Sequence, residues 1–438
     1  MNRCGLYNIG WNCYINSALQ CLASCNTMYN IISNYSDEDI NILDILEKYD
    51  FANIPFDQVY FTEHAKKIAY KLTTELQSNI ESITEHQKVE ILKRIKLVNK
   101  IGEKGIKIFV YMELCNILKN LRSLKHMNID PRKFIHILRI TCNKDFQHLF
   151  SGQQNDPHEF LMYLFDIIHN SKCESVDIKI KNFIPLTQSS TTQSISVSGD
   201  KSVKDHHNIL RNQVYMDIKR RYEKEYSHFE HNICFYNINC ITCSIESCNH
   251  HVFNVSPINI LYLPIPPTTP CSIYDCMNEL FKREYLEDYK CENCGNTNGN
   301  YIDKSIVMHP KMIICEITRY SSNISYAQES SRNNIFTNLL GNSAQLRKNN
   351  TPVDYPNILD ISQYIYGNET DISTRAMYKL TGVICHIGSL QGGHYYAFCK
   401  NIDDDTWFLC DDINISKVEL NNVLNCNNAY MLFYSLVD

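Results

Sequence analysis

A cysteine near one end of the chain, and a histidine followed by two carboxylates near the other, are the residue types of a thiol nucleophile and the base that activates it. Cys13 lies in Gly5-Leu6-Tyr7-Asn8-Ile9-Gly10-Trp11-Asn12-Cys13-Tyr14-Ile15-Asn16-Ser17-Ala18-Leu19-Gln20, and His394 in Gly392-Gly393-His394-Tyr395-Tyr396-Ala397. Trp407-Phe408-Leu409-Cys410-Asp411-Asp412 follows. A thiol needs a base to become a nucleophile, and the base needs a partner that fixes its tautomer, so Cys, His and Asp together make a minimal cysteine hydrolase. Asn8 is placed to point its amide at the oxyanion formed during attack.

These side chains need elements to hold them. Ile15, Ala18, Leu19 and Leu22 recur at helical spacing, so an amphipathic helix is predicted over Asn12–Ser24. Asn12 reads as its N-cap and Cys13 as a first-turn residue, where the helix dipole and unpaired N–H groups favour a thiolate. Taken alone, Cys13 also reads as one more small buried residue. At the other end, Tyr378, Leu380, Gly382 and Ile384 alternate as in a half-buried strand that runs through a glycine-bearing turn into His394. His386 lies mid-strand and reads as structural, whereas His394 follows two glycines that permit close approach. Asp411 and Asp412 must point to opposite faces of an extended strand. Phe408, Cys410 and Asp412 share one face and Trp407, Leu409 and Asp411 the other, and periodicity leaves open which acid meets the histidine.

Gly152-Gln153-Gln154-Asn155-Asp156-Pro157-His158-Glu159-Phe160-Leu161 reads as a helix start. Asp156 is the expected N-cap, Pro157 the N1 residue, and Glu159 at N3 the closure of a capping box. An apolar stripe of Phe160, Leu161, Leu164, Phe165 and Ile168 follows. A fourth feature is metallic. Cys240-Ile241-Thr242-Cys243 and Cys291-Glu292-Asn293-Cys294 are two C-x-x-C knuckles, and Cys240, Cys243, Cys291 and Cys294 would suit tetrahedral zinc. Cys248, His250 and His251 are alternative ligands beside the first knuckle.

With 438 residues, 44% of them hydrophobic, the chain can bury a large core. Twenty cysteines could mean disulfides, but no basic-then-apolar leader opens the sequence and no apolar run of about 18 residues occurs, so reduced, catalytic or metal-bound cysteines in a cytoplasmic or nuclear protein are expected. A net charge of −6 disfavours nucleic acid as the main partner. Residues 36–145 are rich in helix formers, with apolar periodicity around Val89–Val98 and Ile108–Leu121. Leu186–His207 and Ser321–Thr351 read as loops. Strands are predicted over His251–Pro266, Lys304–Ile317, Met377–Ile387, Tyr395–Lys400, Thr406–Cys410 and Ala429–Leu436.

The segment around Cys13 resembles the cysteine box of the ubiquitin-specific proteases, a papain-like family of deubiquitinating enzymes, departing from it at Trp11 and Asn12. The segment from Gly152 is similar to that family's Gln-Gln-Asp-Ala-x-Glu-Phe-Leu box, His394 falls in its Gly-His-Tyr-x-Ala motif, and the paired knuckles resemble its zinc-bearing fingers. Thr318-Arg319-Tyr320 corresponds to a Lys-Arg-Phe element. The resemblance implies an α+β fold with one catalytic domain over 1–438. Within it, 1–175 would form a mainly helical thumb, 230–310 the fingers, and 311–438 a β-rich palm carrying an insertion at about 321–351. It also implies hydrolysis of the bond after ubiquitin's C-terminal glycine through an acyl-enzyme on Cys13. Asp411 would be the acid beside His394 and Asp412 a supporting residue. Gln154, Asp156, Glu159 and Tyr395 would contact ubiquitin's tail. The implied partners are ubiquitin and ubiquitinated proteins, with no nucleic acid, no membrane and a monomeric state. Two other readings share these motifs: a catalytically silent ubiquitin-binding scaffold, and a protease for a ubiquitin-like modifier.

Overall fold

The computed structural model describes residues 3–33, 58–79, 82–123, 128–142, 144–179, 203–248, 250–321, 347–366, 375–389 and 392–437. They form two compact units. The first comprises Met1–Glu174 with Ser227–Glu230 and Asp412–Ile415; the second comprises Ser175–Tyr226, His231–Asp411 and Ser416–Asp438.

The first unit is helical: α1 (Cys13–Ser24), α2 (Asn26–Ser33), α3 (Gln58–Ser78), α4 (Glu85–Lys104), α5 (Ile106–Arg122), α6 (Arg132–Thr141) and α7 (Pro157–Lys172). The helix anticipated at Asn12–Ser24 is present, but it is not amphipathic in its burial, because all twelve residues of α1 are enclosed. Its apolar side packs against α5 and α7. Its polar side is covered by the incoming chain: Gln20 donates to Cys4 O at 2.8 Å and accepts from Arg3 Nε at 2.7 Å. Buried amides and hydroxyls are tolerated because each finds such a partner. The entering segment bridges to Ile129, with Tyr7 N donating to Ile129 O at 3.0 Å and Ile129 N to Gly5 O at 2.9 Å. Gly5 is obligatory, since a Cβ there would lie 2.6 Å from Ile413 Cα.

The second unit contains α8 (Val203–Glu225), α9 (His228–Ile233, which begins in the first unit), α10 (Ile273–Leu280), α11 (Leu420–Leu424) and the strands. These are β1 (Phe235–Thr242), β2 (His251–Ile258), β3 (Leu261–Pro264), β4 (Cys271–Ser272), β5 (Glu284–Tyr285), β6 (Tyr301–Met308), β7 (Met312–Thr318), β8 (Tyr320–Ser321), β9 (Arg347–Lys348), β10 (Val353–Asp354), β11 (Ile358–Asp360), β12 (Met377–Ser389), β13 (Gly392–Lys400), β14 (Trp407–Asp411), β15 (Asn414–Val418) and β16 (Ala429–Leu436). One sheet runs β2-β1-β6-β5, and a larger one runs β14-β13-β12-β16-β7-β3. The larger sheet buries Leu263, Ile313, Ile317, Leu380, Val383, Leu432 and Tyr434 in one core with α10. The smaller packs Ile238 and Phe253 against Val214, Ile218 and Tyr222 of α8. The antiparallel register β12/β13 sets Ile387 opposite His394 and His386 opposite Tyr395, while β13/β14 sets Ala397 opposite Cys410.

The loop expected over Leu186–His207 ends early: Val203–His207 open α8, and the residues before 203 lie outside the described ones. Most of the loop expected at Ser321–Thr351 also lies outside them, but its two ends pair, Tyr320 with Lys348 and Ser321 with Arg347. No helix among the described residues is long and apolar enough to cross a membrane.

Candidate active site and metal cluster

In the first unit, Cys13 is the first residue of α1 and is buried. Asn12 precedes it but does not cap the helix with its side chain. Its amide turns back instead, accepting from Ile9 N at 2.7 Å and donating to Tyr7 O at 3.2 Å and Asn16 Oδ1 at 3.0 Å. This corrects the capping role expected of Asn12. A residue whose Oδ1 and Nδ2 are both engaged with the loop sets the path of residues 7–9 and leaves the oxyanion to another donor. Asn8 is held at both ends of its amide: Oδ1 accepts from Gly10 N at 2.8 Å, and Nδ2 donates one proton to Asp412 Oδ2 at 2.8 Å. The other Asp412 oxygen accepts from Asn16 Nδ2 at 2.7 Å. Asp412 adopts φ +53°, and its backbone carbonyl also accepts from Leu6 N at 2.9 Å. The supporting role anticipated for Asp412 therefore takes a definite form, since its carboxylate fixes the plane of the Asn8 amide.

The box from Gly152 also lies in this unit. Asp156 caps α7, accepting from His158 N at 2.8 Å, with Pro157 at N1. Glu159 does not close the expected capping box. His148, in the 3-10 turn Lys144–Phe150, takes its carboxylate at 2.6 Å. A side chain so engaged is drawn away from the N-cap backbone. Gln154 is exposed, and Asp156 and Glu159 are partly so.

In the second unit, His394 Nε2–H donates to Asp411 Oδ1 at 2.5 Å. Strand alternation left open which acid meets the histidine, and the one in contact is Asp411. With Nε2 protonated toward the acid, the neutral imidazole carries its lone pair on Nδ1. His386 is the buried, structural histidine it was read to be: Tyr320 Oη approaches its Nδ1 at 2.9 Å and Lys348 Nζ donates to its carbonyl oxygen at 2.8 Å. Burial, then the neighbouring charges of Lys348 and His394, push its pKa down to about 4, so it is neutral near pH 7. Its ring explains the glycine before the base, because a Cβ on Gly393 would meet His386 Nε2 at 2.4 Å. Tyr395, expected to touch a peptide tail, is 7% exposed, its ring tilted against His386 with centroids 4.4 Å apart and against Tyr430 at 6.0 Å. On a pleated strand it takes the face opposite His394, which is why it points into the packed layer.

The same unit gathers four thiols, Cys243, Cys248, Cys291 and Cys294, with their sulfurs all within 4.8 Å of one another, a set that could hold a metal ion. Cys243 Sγ lies 3.6 Å from Cys294 Sγ, and Cys248 Sγ 3.8 Å from Cys291 Sγ. The ligand set read from spacing is thereby corrected: Cys248 replaces Cys240. Strand β1 continues to Thr242, so Cys240 is a ladder residue opposite Asp303 with its sulfur 3.6 Å from Thr242 Oγ1. The turn that forms the knuckle begins only at Cys243, where Cys248 N donates to Ile245 O at 2.9 Å. Of the two histidines weighed as ligands, His250 places Nδ1 3.6 Å from Cys291 Sγ, outside the four-sulfur set, and His251 bonds Thr242 Oγ1 at 3.0 Å. Although burial opposes ionisation of Cys291, the backbone N–H groups of Cys294 and Asn293 bring it down to about 6, which suits a thiolate ligand.

The family profile described as ubiquitin carboxyl-terminal hydrolase matches residues 4–434. The chain belongs to that family. It is a cysteine-type deubiquitinase of the α+β, papain-like class. It is 22% identical over 445 residues to "Probable ubiquitin carboxyl-terminal hydrolase R319" of Acanthamoeba polyphaga mimivirus, an alignment spanning 98% of this chain and 89% of the relative. To ubiquitin carboxyl-terminal hydrolase 4 of the yeast Vanderwaltozyma polyspora it is 23% identical, spanning 99% of this chain but 41% of the relative. Among solved structures it is similar in fold to a chain of the SAGA Ubp8/Sgf11/Sus1/Sgf73 DUB module bound to ubiquitin aldehyde, with TM-score 0.56 and 18% identity over 99% of this chain and 70% of that one.

Three site features escaped the sequence reading: the bond from Asn16 to Asp412, the His148 partner of Glu159, and the four carbonyls around Arg319 described below. Asn16 stood inside the cysteine box, and its amide type one turn after Cys13 was the available signal.

Proposed function

We propose that Cys13 attacks the carbonyl carbon of ubiquitin's C-terminal glycine, with His394 as base and Asp411 as the acid that orients it. The observation that carries this reading is the 2.5 Å contact between His394 and Asp411, which commits the imidazole to the tautomer that accepts a proton on Nδ1. The proton of the Cys13 thiol passes to His394 Nδ1, and the sulfur–carbon bond forms as the carbonyl π pair moves onto oxygen. Asn8 donates to that oxyanion. It is positioned before the reaction by Asp412, so the transition state gains a donor without reorganising it. Collapse expels the lysine or α-amine, which takes the proton back from His394. Water, deprotonated by the same imidazole, then cleaves the thioester and releases ubiquitin.

Gln154, Asp156 and Glu159 are proposed to hold the arginine-containing tail, the two carboxylates through charge-assisted bonds to guanidinium groups. Residues 230–310 are proposed as fingers stapled by zinc. Zinc–sulfur bonds of about 2.3 Å place tetrahedral sulfurs ~3.8 Å apart, and the two measured separations of 3.6 and 3.8 Å fit that figure. Cys243, Cys248, Cys291 and Cys294 would hold the ion, which supplies a structural cross-link and no reaction step.

The test is incubation with ubiquitin carrying a C-terminal electrophile. A covalent adduct on Cys13, absent in Cys13→Ala, establishes both modifier and nucleophile. An adduct on another cysteine, or none, removes the assignment.

A further inference from the structure

Arg319 is 1% exposed, yet it is paired with no carboxylate among the described residues. Its N–H groups go to carbonyls only: Nε to Ala429 O at 2.7 Å, Nη1 to Asn349 O at 3.0 Å and Thr351 O at 2.9 Å, and Nη2 to Asn427 O at 3.3 Å. A buried cation requires compensation. Burial opposes its charge, and ionisation of the thiols of Cys385, Cys276 and Cys426 or of the Tyr320 phenol would favour it.

Two of those thiols face each other. Cys385 Sγ on β12 lies 3.4 Å from Cys426 Sγ, and Tyr396 Oη lies 3.6 Å from the same Cys426 sulfur. Cys426 sits in the turn between α11 and β16, flanked by exposed Asn425 and Asn427 and itself partly exposed, whereas Cys385 is fully enclosed. The turn is pinned by Arg319 through Asn427 O and Ala429 O and by His386 N donating to Asn428 O at 3.0 Å. A second thiol pair offers a contrast: Cys271 and Cys276 are 3.7 Å apart, but both are enclosed in the core.

We propose that Cys426 and Cys385 form a peroxide-oxidisable dithiol, distinct from the nucleophile and from the four-thiol cluster, in which Cys426 reacts first and Cys385 resolves it into a disulfide. A partly exposed cysteine whose sulfur meets two S–H or O–H donors, with a buried guanidinium whose charge favours the thiolate, is in an environment where a thiol ionises and reacts. Donation from Cys385, opposed by burial and aided by Tyr396 and the Asn428 N–H, lowers the Cys426 pKa. In the first step the Cys426 thiolate attacks one oxygen of hydrogen peroxide. The S–O bond forms, the O–O bond breaks, and hydroxide leaves to become water with the thiol's own proton. In the second step Cys385 gives its proton to the departing sulfenic hydroxyl, and its sulfur displaces that group as water. Two thiols are oxidised by two electrons and one peroxide is reduced to two waters. The two sulfurs stand in contact at 3.4 Å and need to close to the ~2.05 Å of a disulfide.

The experiment uses the full chain, metal-replete, with Cys13→Ser so that the nucleophile does not compete. It is treated with a few equivalents of hydrogen peroxide, differentially alkylated and mapped by mass spectrometry. The expected product is a Cys385–Cys426 linked peptide, ~2 Da lighter than the two thiol peptides and restored by dithiothreitol, while Cys271 and Cys276 remain alkylatable. With Cys385→Ser, whose hydroxyl keeps a donor beside Cys426 but cannot resolve it, Cys426 should stop at the sulfenic acid and be captured by dimedone. With Cys426→Ser, Cys385 should stay reduced, and ubiquitin hydrolysis by the chain with Cys13 restored should be unchanged in reductant. The proposal is overturned if Cys426 stays alkylatable under peroxide at the rate of Cys271 and Cys276, if it joins a different cysteine, or if no dimedone adduct forms in a folded Cys385→Ser chain.

Discussion

Asp412 is bonded to the proposed oxyanion donor, and its removal should cost nearly as much turnover as removal of that donor itself. Its carboxylate accepts from Asn8 at 2.8 Å and from Asn16 at 2.7 Å. Hydrogen bonds to a charged group contribute about 1.5–3 kcal/mol each, enough to hold the Asn8 amide in one plane. Asn16 would survive the loss, since its Nδ2 also reaches Tyr7 O at 3.3 Å and Leu6 O at 3.5 Å. The substitution to use is Asp412→Gly, because alanine at φ +53° adds about 1–2 kcal/mol of backbone strain unrelated to catalysis. Losing one oxyanion donor lowers turnover on the order of 10²- to 10³-fold. Asn8→Ala should therefore show that loss, Asp412→Gly a loss of similar order, and the double variant little more than either alone. The corresponding coupling is ~3 kcal/mol in a double-mutant cycle on kcat for a ubiquitin C-terminal amide. Additive losses, giving a double variant on the order of 10⁴- to 10⁶-fold slower than the parent, would refute the claim that Asp412 acts through Asn8.

Asp411→Ala leaves the thiol and imidazole in place without the group that fixes the tautomer, so turnover should fall on the order of 10⁴-fold, further than in Asp412→Gly; the reverse order would reassign the acid. Cys248→Ser should abolish binding of one zinc per chain and loosen the residues around it, because such sites couple metal binding to local folding. Cys240→Ser should retain the metal, and equal loss in both variants by metal analysis would restore the ligand set read from spacing. Stability should fall in acid through His386, whose pKa drops from 6.5 to about 4 on folding. The neutral ring is favoured by the fold, so this contribution is complete above pH 6.5 and is lost as pH descends from there to about 4. At 1.36 kcal/mol per pH unit, reduced for residual screening, the loss amounts to ~2 kcal/mol. Urea unfolding at pH 7.5 and pH 4.5 should show a loss that is smaller by that amount in His386→Gln, and an identical loss in both proteins would show that the ring does not carry the effect.

The chemistry of this chain was more legible than its scaffolding. Cys13 and His394 stand in segments whose spacing forces a helix start and a hairpin, and both elements formed. The choice between Asp411 and Asp412 was beyond alternation, because a period of two separates neighbours without saying which face is occupied. Cys248 was missed in favour of Cys240 because C-x-x-C spacing carries no signal of where a strand stops, and β1 runs on to Thr242. That strand itself went unread: Asn237 and Asn239 are poor strand formers, and only pairing with β2 and β6 overrides them. The helix α8 was obscured by the Ser/Thr-rich stretch before it, although Val214, Ile218 and Tyr222 repeat at four-residue steps and form its packed stripe. The contacts of Asn16 and Glu159 depend on residues distant in sequence or in another turn, and no local pattern records them.

The carbonyl cage of Arg319 also ties together segments far apart in sequence. Asn349 N returns a bond to Arg319 O at 2.7 Å, and Tyr320 pairs with Lys348, so two strands meet at one guanidinium. The same side chain holds Ala429 O and Asn427 O, at the entry to β16. One arginine is thus a knot: cutting it would free three lengths of backbone together, in the unit that carries His394 and Asp411.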